Sequence, residues 1–119
     1  MAKARLLNKN ISNSNKVAKL KTDGARLLYT WIIPATDSNG NYDAEPKTLK
    51  GHIFTKLDTN EKEIAEYILD MADVGLIKIY MVDLQLFLHV NDFLKYQSKV
   101  YPEKTTRPIL REENINVLF

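Results

Sequence analysis

The sequence predicts a small α+β domain in which a three-helix core is followed by a β-hairpin. Two observations predict it, both between Leu57 and Val90. The first is an amphipathic helix. Thr59 and Asn60 stand where a cap is needed, and Glu61 and Glu63 occupy the first turn, where carboxylates suit the positive end of the helix dipole. Ile64, Ile68, Met71 and Ala72 recur at helical spacing, with Ala65 and Leu69 beside them, and Gly75 stands where a helix needs a residue tolerant of positive φ. The second is a change of period. Leu76 to Val82 and Leu84 to Val90 are apolar, β-rich runs separated only by a turn at Asp83. A helix that hands over at once to a tight hairpin is the second half of a winged helix-turn-helix, the hairpin being its wing.

The preceding residues read as the first half. Residues 1–14 form a basic arm that Leu6, Leu7 and Ile11 would pin to the body. Asn15 caps a short helix through Leu20, and Thr22 or Asp23 caps a second helix running to Ile33. On the second helix Ala25, Leu28 and Ile32 form one stripe and Leu27 and Trp31 another, an arc wide enough for a helix buried on several sides, so Trp31 is expected in the core. Pro34 ends that helix. Asp37 to Asn41 is a dense turn signal, and Tyr42 fits a very short strand. Pro46 opens a third helix to about Phe54, aided by Asp43 or Glu45, with Leu49, Ile53 and Phe54 inward and Lys47, Lys50 and His52 outward. The winged-helix domain is thus expected over residues 15–97, with one more helical turn from Asn91 through Phe93, Leu94 and Tyr96. Residues 98–119 form a basic, Pro-containing tail, read as extended or disordered to Pro108, with apolar residues from Ile115 to Phe119 that dock at an unspecified place.

Totals bound the function. The 119 residues suffice for one domain with tails. Without cysteine there is no disulfide framework, thiolate zinc site or Cys nucleophile. No apolar run approaches the ~20 residues of a membrane span, and the basic N-terminus lacks the apolar region of a secretory signal, so a cytoplasmic protein is expected. The formal charge is only +2, but it is unevenly spread. Lys3, Arg5, Lys9, Lys16, Lys19 and Lys21 stand at one end with no acid among them, and Lys95, Lys99, Lys104, Arg107 and Arg111 at the other against Glu103 alone. Basic ends on an acidic body suggest contact with a polyanion; the alternative is that they only solubilise the chain.

The sequence also resembles a known family. The stretches "MAKARLLNKNISNSNKVAKL" leading into "ARLLYTWIIPATDSNGNY", then "PKTLKGHIF", "ADVGLIKIYMVD" and "FLHVNDFLKYQ" before a basic tail are similar, in order and spacing, to the winged-helix domain of phage-type replication proteins. These are the replisome organisers or helicase loaders related to the DnaD N-terminal domain. The resemblance implies a DNA-binding module of a replication initiation protein that docks a replisome or helicase-loading partner. Two departures limit it. The wing turn Val82-Asp83-Leu84 has no glycine and is expected to be too short to probe a minor groove. The 119 residues do not include the larger DnaD-like C-terminal domain, so activities that depend on it are not implied.

In an ordinary helix-turn-helix the second helix carries Arg, Lys, Asn or Gln to base edges. Here that helix presents Glu61, Lys62, Glu63, Glu66, Asp70 and Asp73, and carboxylates would be repelled by phosphate. Only its start, Thr59, Asn60 and Lys62, is expected at DNA, helped by the backbone N–H groups of the helix terminus. Glu63, Glu66, Asp70 and Asp73 are expected either to dock a partner or to be a solvated acidic face. The remaining nucleic-acid contacts are Lys3, Arg5 and Lys9 on the arm, Lys47 and Lys50 on the third helix, and Lys95, Lys99, Tyr101, Lys104, Arg107 and Arg111 on the tail. Tyr96 and Tyr101 interleave with tail cations as in a base-stacking single-strand binder, though Tyr96 equally fits packing on the hairpin. Contacts of this kind position a protein without reading sequence, so salt-sensitive binding of duplex or single-stranded DNA with modest specificity is expected.

His52 and His89 are too few and too far apart for a metal site. No nucleophile triad, phosphate loop or sheltered carboxylate pair stands out, and Asp70 with Asp73 has neither shelter nor partner. No enzyme, metal or cofactor is expected. The competing reading is a winged-helix domain that self-associates or binds protein without DNA, as a homodimer through the hairpin edge and the apolar Tyr80, Val82 and Phe87. A transcriptional regulator acting on a two-fold operator ranks third, because the recognition helix lacks readers of base edges.

Overall fold

The computed structural model describes residues 4–93, Pro108 and Asn116–Val117. The chain forms a small α+β domain in which helices α1 (Asn15–Lys19), α2 (Asp23–Ile32), α3 (Pro46–His52) and α4 (Glu61–Asp73) accompany an antiparallel sheet. Its strands are β1 (Asn41–Asp43), β2 (Ile77–Val82), β3 (Gln85–Val90) and β4 (Asn116–Val117), in the order β1-β3-β2-β4. A 3-10 turn, Lys9–Asn13, precedes α1.

Local chemistry sets the ends. Ser14, not Asn15, caps α1, its hydroxyl accepting from the Val17 N–H, so Asn15 is the first residue of the helix and not its cap. Thr22 caps α2 through the Ala25 N–H at 3.1 Å. Pro34 cannot continue an α-helix, and α2 closes through a 3-10 turn over Ile33–Ala35. Helix α4 begins with a reciprocal capping box. The Glu63 N–H donates to Asn60 Oδ1 at 2.9 Å and the Asn60 N–H to Glu63 Oε1 at 3.2 Å. It ends in a Schellman motif, with Gly75 N–H on the Ala72 carbonyl, Leu76 N–H on that of Met71, and Gly75 at φ +86°. Helix α3 stops at His52, two residues short of Phe54. Glu45 precedes it without capping it, because its carboxylate accepts from the Leu86 N–H instead.

The Asp37 carboxylate accepts from the Asn39 and Asn41 N–H groups and turns the chain into β1. There Gly40, at φ +82°, lies so close to Phe93 that no Cβ would fit. The hairpin β2–β3 closes from Val82↔Gln85 through two residues only, Asp83 and Leu84, both at positive φ as a type I′ turn requires.

Ala25, Leu28, Ile32, Leu49, Phe54, Ile64, Ile68 and Met71 from the helical half meet Tyr42, Ile77, Ile79, Leu88 and Val90 from the sheet in a single core. Two expectations fail. Trp31 is 40 % exposed, making an edge-to-face contact with Phe54 while Ala25, Leu28 and Ile32 fill the interior. Tyr80 and Phe87 are not a bare apolar patch for a dimer. They stack on the sheet face away from the core, yet Tyr80 has no exposed surface and Phe87 only 4 %. The edge of β2 that would have paired with another chain is paired with β4 at Tyr80↔Val117 and Met81↔Asn116, so part of the apolar C-terminal end docks there. The expected helical turn through Leu94 and Tyr96 and the extended stretch 97–107 lie outside the described residues. No described helix is long and apolar enough to cross a membrane.

Candidate nucleic-acid and partner interface

Helices α3 and α4 pack on each other, and α4 also packs on α2. The start of α4 therefore projects beside α3. At that start Asn60 and Lys62 are exposed and Thr59 is half-buried, while Lys47 is exposed in the first turn of α3. Exposed Lys56, in the turn between the two helices, joins them. The periodic pattern does not single out Lys56, because a turn cation has no face to be assigned to; its place between the two helices is the available signal. Asn60 spends its side-chain oxygen on the cap, so its amide group is what it offers a ligand.

Two expected phosphate contacts are otherwise engaged. Lys50 Nζ donates to the Phe54 carbonyl at 3.3 Å and to the Leu57 carbonyl, closing the turn after α3. A short helix leaves its last carbonyls unpaired, and this ammonium serves the chain that follows them. Arg5 lies half-buried between the arm and the body. Its Nη2 donates to the Thr36 carbonyl at 3.2 Å, and its guanidinium carbon stands 6.0 Å from the centre of the Phe93 ring. Arg5 Nε is buried and has no partner among the described residues. It is a clasp, not an outward cation. Lys9 is exposed on the 3-10 turn. Lys3, Lys95, Tyr96, Lys99, Tyr101, Lys104, Arg107 and Arg111 lie outside the described residues.

The acidic side of α4 is likewise divided. Glu63 is exposed but holds the capping box. Asp70 is half-buried and accepts from the Lys21 N–H at 2.7 Å, tying α4 to the chain between α1 and α2. Glu66 and Asp73 are exposed, and between them in sequence stands Leu69, 46 % exposed. Residues 66, 69, 70 and 73 share one helix face. With Tyr67, Thr22 and Lys21 they line a shallow depression of about 520 Å³, in which three carboxylates outnumber one ammonium. The apolar residue in this acidic surround escapes sequence reasoning because Leu69 lies next to the buried stripe and groups with it.

His89 lies opposite Asn41 in the sheet register, and its Nδ1 stands 2.7 Å from Asn41 Oδ1. An amide oxygen only accepts, so Nδ1 carries the proton. Burial lowers the His89 pKa and the Lys78 ammonium lowers it further, against opposing pulls from Asp37 and Asp92. His52 Nδ1 lies 3.5 Å from the Tyr42 hydroxyl. Among the described residues no group of three or more His, Asp or Glu is placed to hold a metal ion. A cleft of about 450 Å³ separates the arm from the body, lined by Leu6, Ile11, Tyr29, Ile33, Val90 and Phe93 among others.

No protein-family model matches the chain, and no curated protein and no solved structure matches it.

Proposed function

We propose that this chain is a winged-helix DNA-binding domain of the kind used by phage-type replication initiation proteins related to DnaD, touching phosphates through peripheral cations and docking a replisome partner. The observation that carries the reading is the packed pair α3–α4 followed at once by the hairpin β2–β3, with β1 adding a strand to the hairpin. That order is the one a helix-turn-helix with a wing has. Among the described residues the proposed phosphate contacts are Lys9, Lys47 and Lys62, with Thr59, Asn60 and the N–H groups at the start of α4. The basic residues at 95–111 add to them on sequence grounds, and Arg5 and Lys50 do not belong to the set. Glu66, Leu69 and Asp73 form the partner surface, an apolar anchor within a negative surround that suits a basic partner.

Fluorescence anisotropy with labelled single-stranded and duplex DNA over a salt series tests the reading. The logarithm of affinity is expected to fall linearly with the logarithm of salt, and a Lys9→Ala, Lys47→Ala, Lys62→Ala variant is expected to flatten the slope by about 2–3, at ~0.9 for each phosphate no longer neutralised. Salt-independent binding, or a triple variant with an unchanged slope, overturns it. A second reading, a protein-interaction domain without DNA binding, is favoured by exposed Leu69 on the acidic face of α4. It becomes the better one if the intact chain does not bind DNA at low salt.

A further inference from the structure

The sheet carries a site that neither the DNA reading nor the partner reading uses. One cross-strand row holds Asp43, Phe87 and Tyr80, and another holds Asn41, His89 and Lys78. Tyr80 and Phe87 stack with ring centres 5.6 Å apart. Both are buried although they face away from the core. The chain's own C-terminal segment is seated there. The Pro108 carbonyl accepts from the Tyr80 hydroxyl at 2.7 Å and from Asn41 Nδ2 at 3.4 Å. Beyond it, among the described residues, β4 pairs with two residues of the six in β2. A sheet edge, an aromatic pair and two donors converging on one backbone carbonyl make a receptor for an extended peptide, of the strand-addition type.

We propose that this receptor is an interface between two copies of the chain, formed by exchange of the C-terminal segment: Pro108 and β4 of one copy seat on Tyr80, Phe87, Asn41 and the edge of β2 of another. The exchanged contact is chemically identical to the one within a single chain, so no new complementarity is required, only a connection long enough to cross. Fifteen residue steps separate Phe93 from Pro108, a reach of about 50 Å when extended. The longest dimension of the protein is 34 Å. Among the described residues the anchorage to be broken in one chain is two residue pairs and one doubly accepting carbonyl, and the second copy offers the same contacts in exchange. Concentration then decides between the closed monomer and the exchanged dimer.

The absence of cysteine from the sequence makes the test clean. Met81 and Asn116 are cross-strand partners, and such pairs have the Cα separation a disulfide needs. The full-length Met81→Cys, Asn116→Cys double variant is expected to form an intrachain disulfide on mild oxidation at low concentration. An equal mixture of Met81→Cys and Asn116→Cys single variants is expected to form a covalent heterodimer whose yield rises with concentration. That yield should exceed by about tenfold the yield of a Gly51→Cys and Asn116→Cys mixture, because exchange raises the local concentration of the paired thiols. Gly51 is exposed, with open space where its Cβ would be. Heterodimer no more abundant than in that control overturns the exchange. Failure of the double variant to close within one chain overturns it too, since the seat itself is then absent. Neither result touches DNA binding, which the anisotropy series reads separately.

Discussion

Replacing Asp73 by lysine should stabilise the fold while removing a charge from the proposed partner surface. Asp73 is the last residue of α4, it is exposed, and the last turn of that helix holds no basic residue. A carboxylate at the negative end of a helix dipole is unfavourable, and a cation there is favourable by ~0.3–1 kcal/mol. Three residues earlier stands Asp70, so the substitution also turns an i,i+3 repulsion into an attraction, a pair effect of ~0.2–0.5 kcal/mol. Charge reversal counts each effect twice, once for the anion removed and once for the cation added. Even at the low ends to which solvent screening holds an exposed site, we therefore expect Asp73→Lys to stabilise by about 1 kcal/mol. For a domain of this size that raises the melting temperature by about 4 °C. Trp31 is the only tryptophan, and its contact with Phe54 makes its emission a reporter of unfolding. The gain should shrink greatly at ~1 M salt, where the screening length is only about 3 Å. DNA affinity should keep its salt slope, because the proposed phosphate contacts lie at the other end of α4. Destabilisation by Asp73→Lys would show that the fold itself uses the carboxylate. A salt slope steeper by ~0.9 would show that α4 lies along the duplex, and either outcome refutes the reasoning.

Arg5→Ala should cost about 1–2 kcal/mol in denaturant unfolding, through loss of a charged hydrogen bond to the Thr36 carbonyl and of cover on Phe93, partly offset by removal of the unpartnered Nε. At matched folded fraction DNA affinity should be unchanged; a clear loss of affinity without loss of stability would return Arg5 to the phosphate set. In the hairpin, the double change Asp83→Asn, Leu84→Gly should stabilise by about 1 kcal/mol, since Leu84 sits at φ +66° and is 89 % exposed. A lower unfolding midpoint would disprove the strain argument. His89 predicts the acid limb. Its pKa in the folded chain lies below the ordinary 6.5, so the unfolded chain binds more protons between the two values. Stability is therefore full above 6.5 and falls as pH drops through the folded pKa. His89→Gln should flatten that part of the profile, and a variant with an unaltered profile would assign the decline to other groups.

What the sequence discloses and what it hides divide along a physical line. The start of α4 at Thr59 or Asn60, the start of α2 at Thr22 or Asp23, the Gly75 stop, the Pro34 break and the tight turn at Asp83 are decided within a few residues, so spacing reveals them, whereas the reciprocal Asn60–Glu63 capping box emerges from the structure. The apolar stripe of α4 is readable for the same reason. The destinations of long side chains are not. Whether Lys50 reaches outward or back to Leu57, and whether Arg5 swings free or rests on Phe93, depends on what the fold brings near. Trp31 is misplaced by sequence because a wide apolar arc on α2 says that some side is buried without saying which edge remains in water. Tyr80 and Phe87 look bare in sequence because their cover arrives from the far end of the chain, 28 residues beyond Tyr80 at Pro108.

Four of the cations, Arg5, Lys16, Arg26 and Lys50, share a further property that bears on how the DNA reading must be tested. Arg26, which no phosphate argument involves, donates to the carbonyls of Val17, Ala18 and Leu20 and pairs with Asp23. Lys16 donates to Gly75 at the end of α4, Lys50 to the chain after α3, and Arg5 to Thr36 beyond α2. Helices of five and seven residues such as α1 and α3 are too short to persist alone, and their terminal carbonyls need donors from elsewhere. For α1 that donor is Arg26, and Lys50 donates instead to the chain that follows α3. Positive charge therefore has two employments, and neutralising a lysine or arginine indiscriminately confounds them: Arg26 or Lys50 replaced by alanine would reduce DNA binding by loosening the fold, although every phosphate kept its cation. The two effects differ in their salt dependence. Removing a phosphate-neutralising cation flattens the slope of affinity against salt, whereas a loosened fold lowers affinity at every salt concentration and leaves the slope of the surviving folded fraction intact. Lys9, Lys47 and Lys62, exposed and outside these carbonyl contacts, are the positions at which the slope itself can be read.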